Sequence, residues 1–490
     1  MQVHPRIIQG GMGIAISQWQ LARAVSTQGE LGVVSGTGIG VVLARRLQRG
    51  DPDGNMRRAL AHFPVPSIAE RVVHAYFLPD GLPAGKPYKS VPFFTLHPRR
   101  DLLELVMCAN FAEVWLAKEG HSGLVGINLL EKVQFPHLVS LYGAMLAGVD
   151  AVLMGAGIPV QIPGILDALA QHALATYHLH VDGAAPHETY PITFDPQQFL
   201  VEPQPPLTRP EFFAIISSAT LAKMLVQKSS GRVNGFVVEA PTAGGHNAPP
   251  RGAMQRNIRG EPLYGERDRV DFSALRELGL PFWLGGSFAH PRKLQEALAL
   301  GAAGIQAGTI FALSAESGFA ASIKHTVLHQ AQQGTLDIFT DPVASPTGYP
   351  FKVAQLPETL ADPALLALRP RRCDIGGLRQ PYKRADGIIG YRCPAEPIPA
   401  YLVKGGKETD TEGRVCLCNA LLASADLPQL QRHGYQEMPL VTLGDDLSFL
   451  DDLQPPDGAF YSAAEAVTFL REGLNPTRSI CEPLRAACPQ

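Results

Sequence analysis

Charge is scarce in this 490-residue chain: Asp, Glu, Lys and Arg make up 18% of it, and 45 acids nearly cancel 42 bases to a formal net charge of −3. No sustained basic run occurs, so the electrostatic footprint that nucleic acid or an anionic membrane would require is missing. Long apolar runs are missing too. Nothing reaches the roughly 18 residues of a membrane-spanning helix, and no apolar segment follows the N-terminus as a secretion signal would, so the sequence reads as a soluble cytoplasmic protein. Cysteine is sparse, with seven residues, which excludes a secreted disulfide framework. What is plentiful is apolar character, 46% of residues, and glycine, 48 residues. The length exceeds a typical single domain and predicts one large domain with a substantial appendage.

The clearest pattern lies over 281–311. An apolar run stops at Gly285-Gly286-Ser287, a helix-patterned segment over 290–300 ends at Gly301, and a second apolar run stops at Gly308-Thr309. Strand, glycine turn, helix, strand, glycine turn is the rhythm of a βαβ unit in a parallel sheet. Both turns fall at the carboxyl ends of their strands, where backbone N–H groups can approach an oxyanion closely. Two ordinary tight turns would read the same way, since short glycine motifs are weakly specific.

The same rhythm runs through the first 320 residues. A strand ends in Gly10-Gly11-Met12-Gly13, with Ser17 as the expected N-cap of a helix over 18–27. A second strand over 31–35 runs into Gly36-Thr37-Gly38, and then an excursion over about 39–120 ends in a helix over 101–118. Strands three and four are expected over 124–130, carrying the polar Asn128, and 150–154. Helices are expected over 136–147 and 163–173. The proline-rich stretch 176–208, with alternating segments at 178–181 and 190–194, reads as a surface hairpin outside the main sheet. Strands five and six are expected over 212–217 and 235–240, and a long polar loop then covers the site. Eight strands with helical connections favour a (β/α)8 TIM barrel over an open sheet. The first turn lacks the GxGxxG of a dinucleotide fold.

On this map the odd polar residues gather at one barrel face. Asn128 ends strand three, Glu239 and His246 follow strand six, and Gly11, Gly36, Gly286 and Gly308 end four others. His246 stands after Gly244-Gly245, which lets a ligand come close, and an imidazole can act as acid or base near neutral pH. Glu239 and Asn128 can equally be hydrogen-bonded strand-end residues. Lys223 reads as a solvated surface charge.

These motifs are those of a known group. Ile8-Gln9-Gly10-Gly11-Met12, Gly126-Ile127-Asn128-Leu129, Glu239-Ala240 with Ala243-Gly244-Gly245-His246, and Gly285-Gly286-Ser287 with Gly304-Ile305-Gln306-Ala307-Gly308-Thr309 resemble the nitronate monooxygenase family, also called 2-nitropropane dioxygenases, across about residues 6–320. The resemblance implies an FMN-dependent barrel. It implies that Gly285, Gly286, Gly308 and Thr309 hold the flavin phosphate, that Gly11 and Met12 lie beside the ring, and that Asn128, Glu239, Gly245 and Ser287 complete the cofactor site. His246 is implied as the catalytic residue. The expected activity is oxidation of nitronates or nitroalkanes with O2. The same resemblance covers NAD(P)H-dependent enoyl-thioester and quinone reductases, and a flavin-barrel binding or assembly subunit is the alternative of another class. The base histidine that nitronate oxidation implies has no placed counterpart: His137 and His172 lie on expected helices, and His178 and His180 in the proline-rich stretch. Expected partners are a small-molecule substrate and O2 or NAD(P)H, with neither nucleic acid nor a membrane; self-association into a homo-oligomer stays open.

Residues 321–490 are expected as an extension packed on the barrel. The segment 337–353 reads as loop chemistry with buried aromatics, laid across the barrel as packing or as a wall of the substrate pocket. Cys373, Cys393, Cys416 and Cys418, spaced C-x19-C-x22-C-x-C among Arg372, Arg379, Arg392 and Arg414, raise a metal or iron–sulfur site against ordinary buried thiols. The spacing matches neither a zinc CxxC pair nor a ferredoxin run, and no metal ligand is assigned. Cys108, Cys481 and Cys488 read as incidental.

Overall fold

The computed structural model describes residues 4–453 and 459–472. Eight parallel strands make one sheet: β1 (Ile7–Gln9), β2 (Gly32–Ser35), β3 (Val125–Leu130), β4 (Ala151–Gly155), β7 (Glu211–Ile216), β8 (Gly235–Glu239), β9 (Phe282–Gly285) and β10 (Gly304–Ala307). Their order is β1-β10-β9-β8-β7-β4-β3-β2. The two ends meet, because Ile8 bridges Leu31 and the Gln9 amide donates to the Leu31 carbonyl at 3.0 Å. The sheet is therefore a (β/α)8 barrel. Side chains alternate across each strand, and the inward set, including Ile8, Val33, Leu153, Phe213, Val237 and Trp283, packs into one interior core. The outward set packs against the surrounding helices.

Between β2 and β3 the chain adds the helices Ile39–Gln48, Asn55–Ala61 and Pro66–Tyr76 before the long helix Arg100–Lys118, which is buried along most of its length. The hairpin outside the barrel is present as β5 (Ala175–His178) and β6 (Pro191–Phe194), paired antiparallel. Its first strand lies three residues earlier than the alternating stretch suggested, because pairing with Pro191–Phe194 fixes the register that a period of two leaves free. Ser17 is not the N-cap of the first helix, Trp19–Ser26; Gln18 occupies that position without a side-chain bond. The Ser17 hydroxyl instead accepts from the Met12 amide at 2.8 Å and donates to the Gly10 carbonyl at 2.8 Å, tying down the first glycine turn.

After the barrel, β11 (Ile338–Asp341) and β12 (Phe351–Ala354) form an antiparallel pair, so the segment read as loop contains a hairpin. Lys352, buried on that pair, donates to Thr340 Oγ1 at 2.6 Å and to Asp445 Oδ2 at 2.8 Å. A second pair, β13 (Gln380–Lys383) with β14 (Ile389–Arg392), and the helix Leu417–Ser424 follow. The last described helix, Ala463–Glu472, returns to the start of the barrel, where Arg471 pairs with buried Glu30 at 2.8 Å. Among the described residues, no helix is long and apolar enough to cross a membrane. Cys481 and Cys488 lie outside the described residues.

Candidate active site

The carboxyl ends of the barrel strands open into a cavity of about 330 Å³. The residues expected to bind the cofactor, and His246, all line it: Gly11 and Met12 after β1, Asn128 on β3, Glu239 on β8, Gly245 and His246 beyond it, Gly285, Gly286 and Ser287 at the end of β9, and Gly308 and Thr309 after β10.

The turns after β9 and β10 form one end. Gly286 (φ 88°) and Ser287 (φ 57°) are both left-handed, and a Cβ on Gly286 would sit 2.9 Å from Thr242 Oγ1 and 3.0 Å from Ala240 Cβ. Glycine is thus required both by conformation and by space. Among the described residues, the backbone amides of Ser287, Gly308 and Thr309 donate to no acceptor. Successive amides turned into a concavity in this way make an anion-binding nest. The C-terminal extension closes this end: the Gly444 amide donates to Thr309 Oγ1 at 2.9 Å, and the Gly245 amide to Thr442 Oγ1 at 2.7 Å.

Opposite, the first turn is clamped to β3. Asn128 Nδ2 donates to the Gly11 carbonyl at 2.8 Å, and a Cβ on Gly11 would fall 2.2 Å from Asn128 Cβ. One of the two side-chain N–H groups of Asn128 is therefore committed to the protein, which leaves the other N–H and the side-chain oxygen for a ligand.

His246 stands between the two ends. Its Nε2 bonds Ser345 Oγ at 2.7 Å, its ring meets Phe351 edge-on with centroids 4.8 Å apart, and Nδ1 has no protein partner among the described residues. The Lys352 amide bonds the Gly245 carbonyl at 3.0 Å, so β12 holds the turn that carries His246. The imidazole and the Glu239 carboxyl are each half-buried, their open surface facing the cavity. Burial pushes His246 down to about 4 and Glu239 up to about 8, so both are neutral at pH 7 and Glu239 carries a proton. Beside Glu239, Gln306 Oε1 is buried without a hydrogen-bond partner, an orphan acceptor in a layer where Glu239 and Gln306 both pair with Gly285.

None of His137, His172, His178 and His180 lines the cavity. His137 Nε2 bonds the Glu131 carbonyl at 3.0 Å, His172 bonds Tyr142 and the Pro205 carbonyl, and His178 and His180 are exposed. Lys223 is exposed as expected. Sequence reasoning missed Gln306 as a polar group, Ser345 as the partner of His246, and the contribution of 442–446. Gln306 sits inside a quoted motif and was legible as a polar residue in an apolar strand; the other two had no local signal. The cavity lining also includes the apolar side chains of Val41, Phe94, Val106, Leu378 and Leu421, with Lys132 and Arg379 among them.

No family model matches the chain, and no curated protein matches it. Among solved structures it is similar to FabK from Thermotoga maritima, at 14% identity and TM-score 0.47 over 96% of this chain and 92% of that one. It is similar also to a nitroalkane oxidase from Streptomyces ansochromogenes, at 14% identity and TM-score 0.44 over 96% and 95%. A third is the enoyl reductase domain of MlnA from Bacillus amyloliquefaciens, at 12% identity and TM-score 0.36 over 72% and 64%. Likenesses at these identities and scores say nothing about chemistry, and the barrel rests on its own strand pairing.

Proposed function

We propose that this chain is an FMN-dependent oxidoreductase. The observation that supports it most is the set of unpaired amides at Ser287, Gly308 and Thr309, at one end of a cavity whose middle holds His246. A terminal phosphate fits those amides, and glycine at 286 keeps the approach open. The orphan Gln306 oxygen and the proton on Glu239 offer one acceptor and one donor to the polar edge of a flavin ring, and the Gly11–Met12 turn offers it a flat wall. When bound, the flavin supplies two-electron transfer, and the protein supplies position and electrostatics.

Within that class the cavity favours an NAD(P)H-dependent reductase. His246 keeps Nδ1 free in a cavity partly lined by apolar side chains, and with Nε2 accepting from the Ser345 hydroxyl the neutral ring presents Nδ1–H as a hydrogen-bond donor to a substrate atom that gains charge, the Ser345 hydroxyl proton replacing any proton it transfers. Oxidation of nitronates with O2 is the rival, supported by the motif resemblance; the base histidine which that resemblance implies is not among the cavity residues. Denaturing the yellow protein should release FMN, and a colourless protein that takes up none would end the flavin reading. Anaerobic mixing separates the reactions: bleaching by NADH or NADPH alone marks a reductase, and bleaching by propyl nitronate alone marks the oxygenase. No bleaching by either supports the binding or assembly subunit.

A further inference from the structure

Two cations in the cavity wall, Arg379 and Lys132, make no ion pair among the described residues. Arg379 stands just before β13, and its guanidinium lies over the rings of Phe93 at 4.1 Å and Tyr391 at 5.2 Å. Its side chain donates once, from Nη2 to the Phe94 carbonyl at 3.0 Å, while its Nε is buried with no acceptor. Lys132 follows β3 by two residues and meets the Tyr349 ring at 5.7 Å.

The acids around Arg379 are spent elsewhere. Glu396 is taken by Lys404 at 2.6 Å, and Asp374 accepts from Asn419 at 2.6 Å and from Gln431 at 2.9 Å. Cys373, Cys393, Cys416 and Cys418 line a small pocket that shares Arg379 with the cavity. Burial keeps them neutral thiols, with Cys373 pushed up to about 11 and the other three also raised, so they supply no negative charge. Among the described residues, no group of three or more His, Cys, Asp or Glu side chains could hold a metal ion. Of the acids lining the cavity, Glu239 carries a proton at pH 7, and Asp446 accepts from the Ser448 amide at 3.0 Å and hydroxyl at 2.7 Å. A guanidinium held in a largely apolar wall with donors to spare is unfavourable unless an anion compensates it.

Position separates these cations from the proposed phosphate end. Around the closed barrel, β3 is four strands from β9 in either direction, so Lys132 follows the strand directly across from the Gly286–Ser287 turn. Arg379 belongs to the same side. The Phe94 carbonyl it bonds lies in the excursion between β2 and β3. The Tyr391 ring beside it meets Phe135, three residues past Lys132, edge-on at 5.7 Å. We propose that Arg379, with Lys132 as the second cation, forms an anion subsite for a carboxylate or phosphoryl group of the molecule that reacts over the flavin. Naming that molecule as the reacting one rests on the flavin reading; the subsite itself does not. The oxyanion has two sources, the nicotinamide dinucleotide and an acidic organic substrate, which the test separates.

The full chain as purified is titrated by calorimetry with NADPH, NADH, octanoate and its neutral counterpart octanamide, and released flavin is measured on the same samples. Wild type should bind at least one of the three anions. Arg379→Gln should weaken that binding about ten- to a hundredfold, the loss of a hydrogen bond to a charged group, with the flavin-to-protein ratio unchanged. Arg379→Lys should recover part of it. Arg372→Gln should bind like wild type, because Arg372 lines the small pocket and not the large cavity. A loss confined to the dinucleotides places the nucleotide at the subsite. A loss for octanoate with octanamide unmoved places the organic substrate there, and an equal loss for octanamide overturns charge recognition. If Arg379→Gln lacks the wild-type far-UV spectrum, Lys132→Gln carries the test, with about a two- to fivefold loss expected. Wild type that binds none of the anions, or a folded variant that binds them as wild type does, overturns the proposal. A colourless protein that still shows the Arg379 effect ends the flavin reading and leaves the subsite standing.

Discussion

Replacing His246 by alanine removes the imidazole and little else. The ring's protein contacts are the 2.7 Å bond to Ser345 and the edge of Phe351, and its remaining surface already faces the cavity. The structural loss is one hydrogen bond, about 0.5–1.5 kcal/mol, which in a chain of this size shifts Tm by only a few degrees. The proposed phosphate end is made of backbone amides after β9 and β10, which the substitution does not touch. Acid–base assistance contributes about 10²–10⁴-fold in rate, or roughly 2.7–5.4 kcal/mol of barrier at 1.36 kcal/mol per decade. His246→Ala should therefore lose at least about a hundredfold in turnover while its flavin-to-protein ratio stays at the wild-type value. The assay pairs released-flavin fluorescence with steady-state rates and single-turnover flavin reduction. Because the imidazole titrates at about 4, its protonation should leave the wild-type rate flat over pH 6–8 and lower it only in acid. A colourless variant would make His246 a cofactor or folding element. Unchanged turnover would place the proton-transfer group elsewhere and refute this assignment.

Glu239 should reveal itself through stability against pH. Its folded value, about 8, lies above its ordinary 4.5, so the native state binds more protons in between; stability is fully present below 4.5 and is lost as pH rises through 8. Glu239→Gln should raise Tm relative to wild type at pH 9 and leave the difference near zero at pH 5; parallel curves would refute a buried protonated carboxyl. Gly286→Ala imposes a left-handed alanine, about 1–2 kcal/mol, and a contact inside 3.0 Å that adds about 1–3 kcal/mol. Flavin should dialyse out of that variant at least tenfold faster, and undiminished retention would remove this turn from the phosphate site.

Local chemistry made the barrel legible. Apolar runs stopped by glycine turns mark Phe282–Gly285 and Gly304–Ala307 to within a residue, because a strand and the turn that ends it depend on neighbours in sequence. The same holds in part for Asn128, Glu239 and His246: Glu239 ends β8, Asn128 lies two residues before the end of β3, and His246 is in the turn that follows β8, and closing the barrel brings such carboxyl ends together. Where a residue had two available partners the local reading failed. Ser17 looks like a helix cap, yet its hydroxyl serves the Gly10–Met12 turn.

The sequence by itself thus determined the strand-and-turn rhythm, the barrel it implies and the residues facing its open end, since all of these follow from spacing and residue type. Tertiary structure alone decided the rest. Ser345 reaches His246 from 99 residues away, Thr442 and Gly444 seat on the turns after β8 and β10, and four cysteines scattered over three segments meet at one pocket. Burial, which moves Glu239 and His246 to opposite sides of neutrality, is a property of the packed chain. No local pattern encodes these features, because each depends on which distant segment the folded barrel brings alongside.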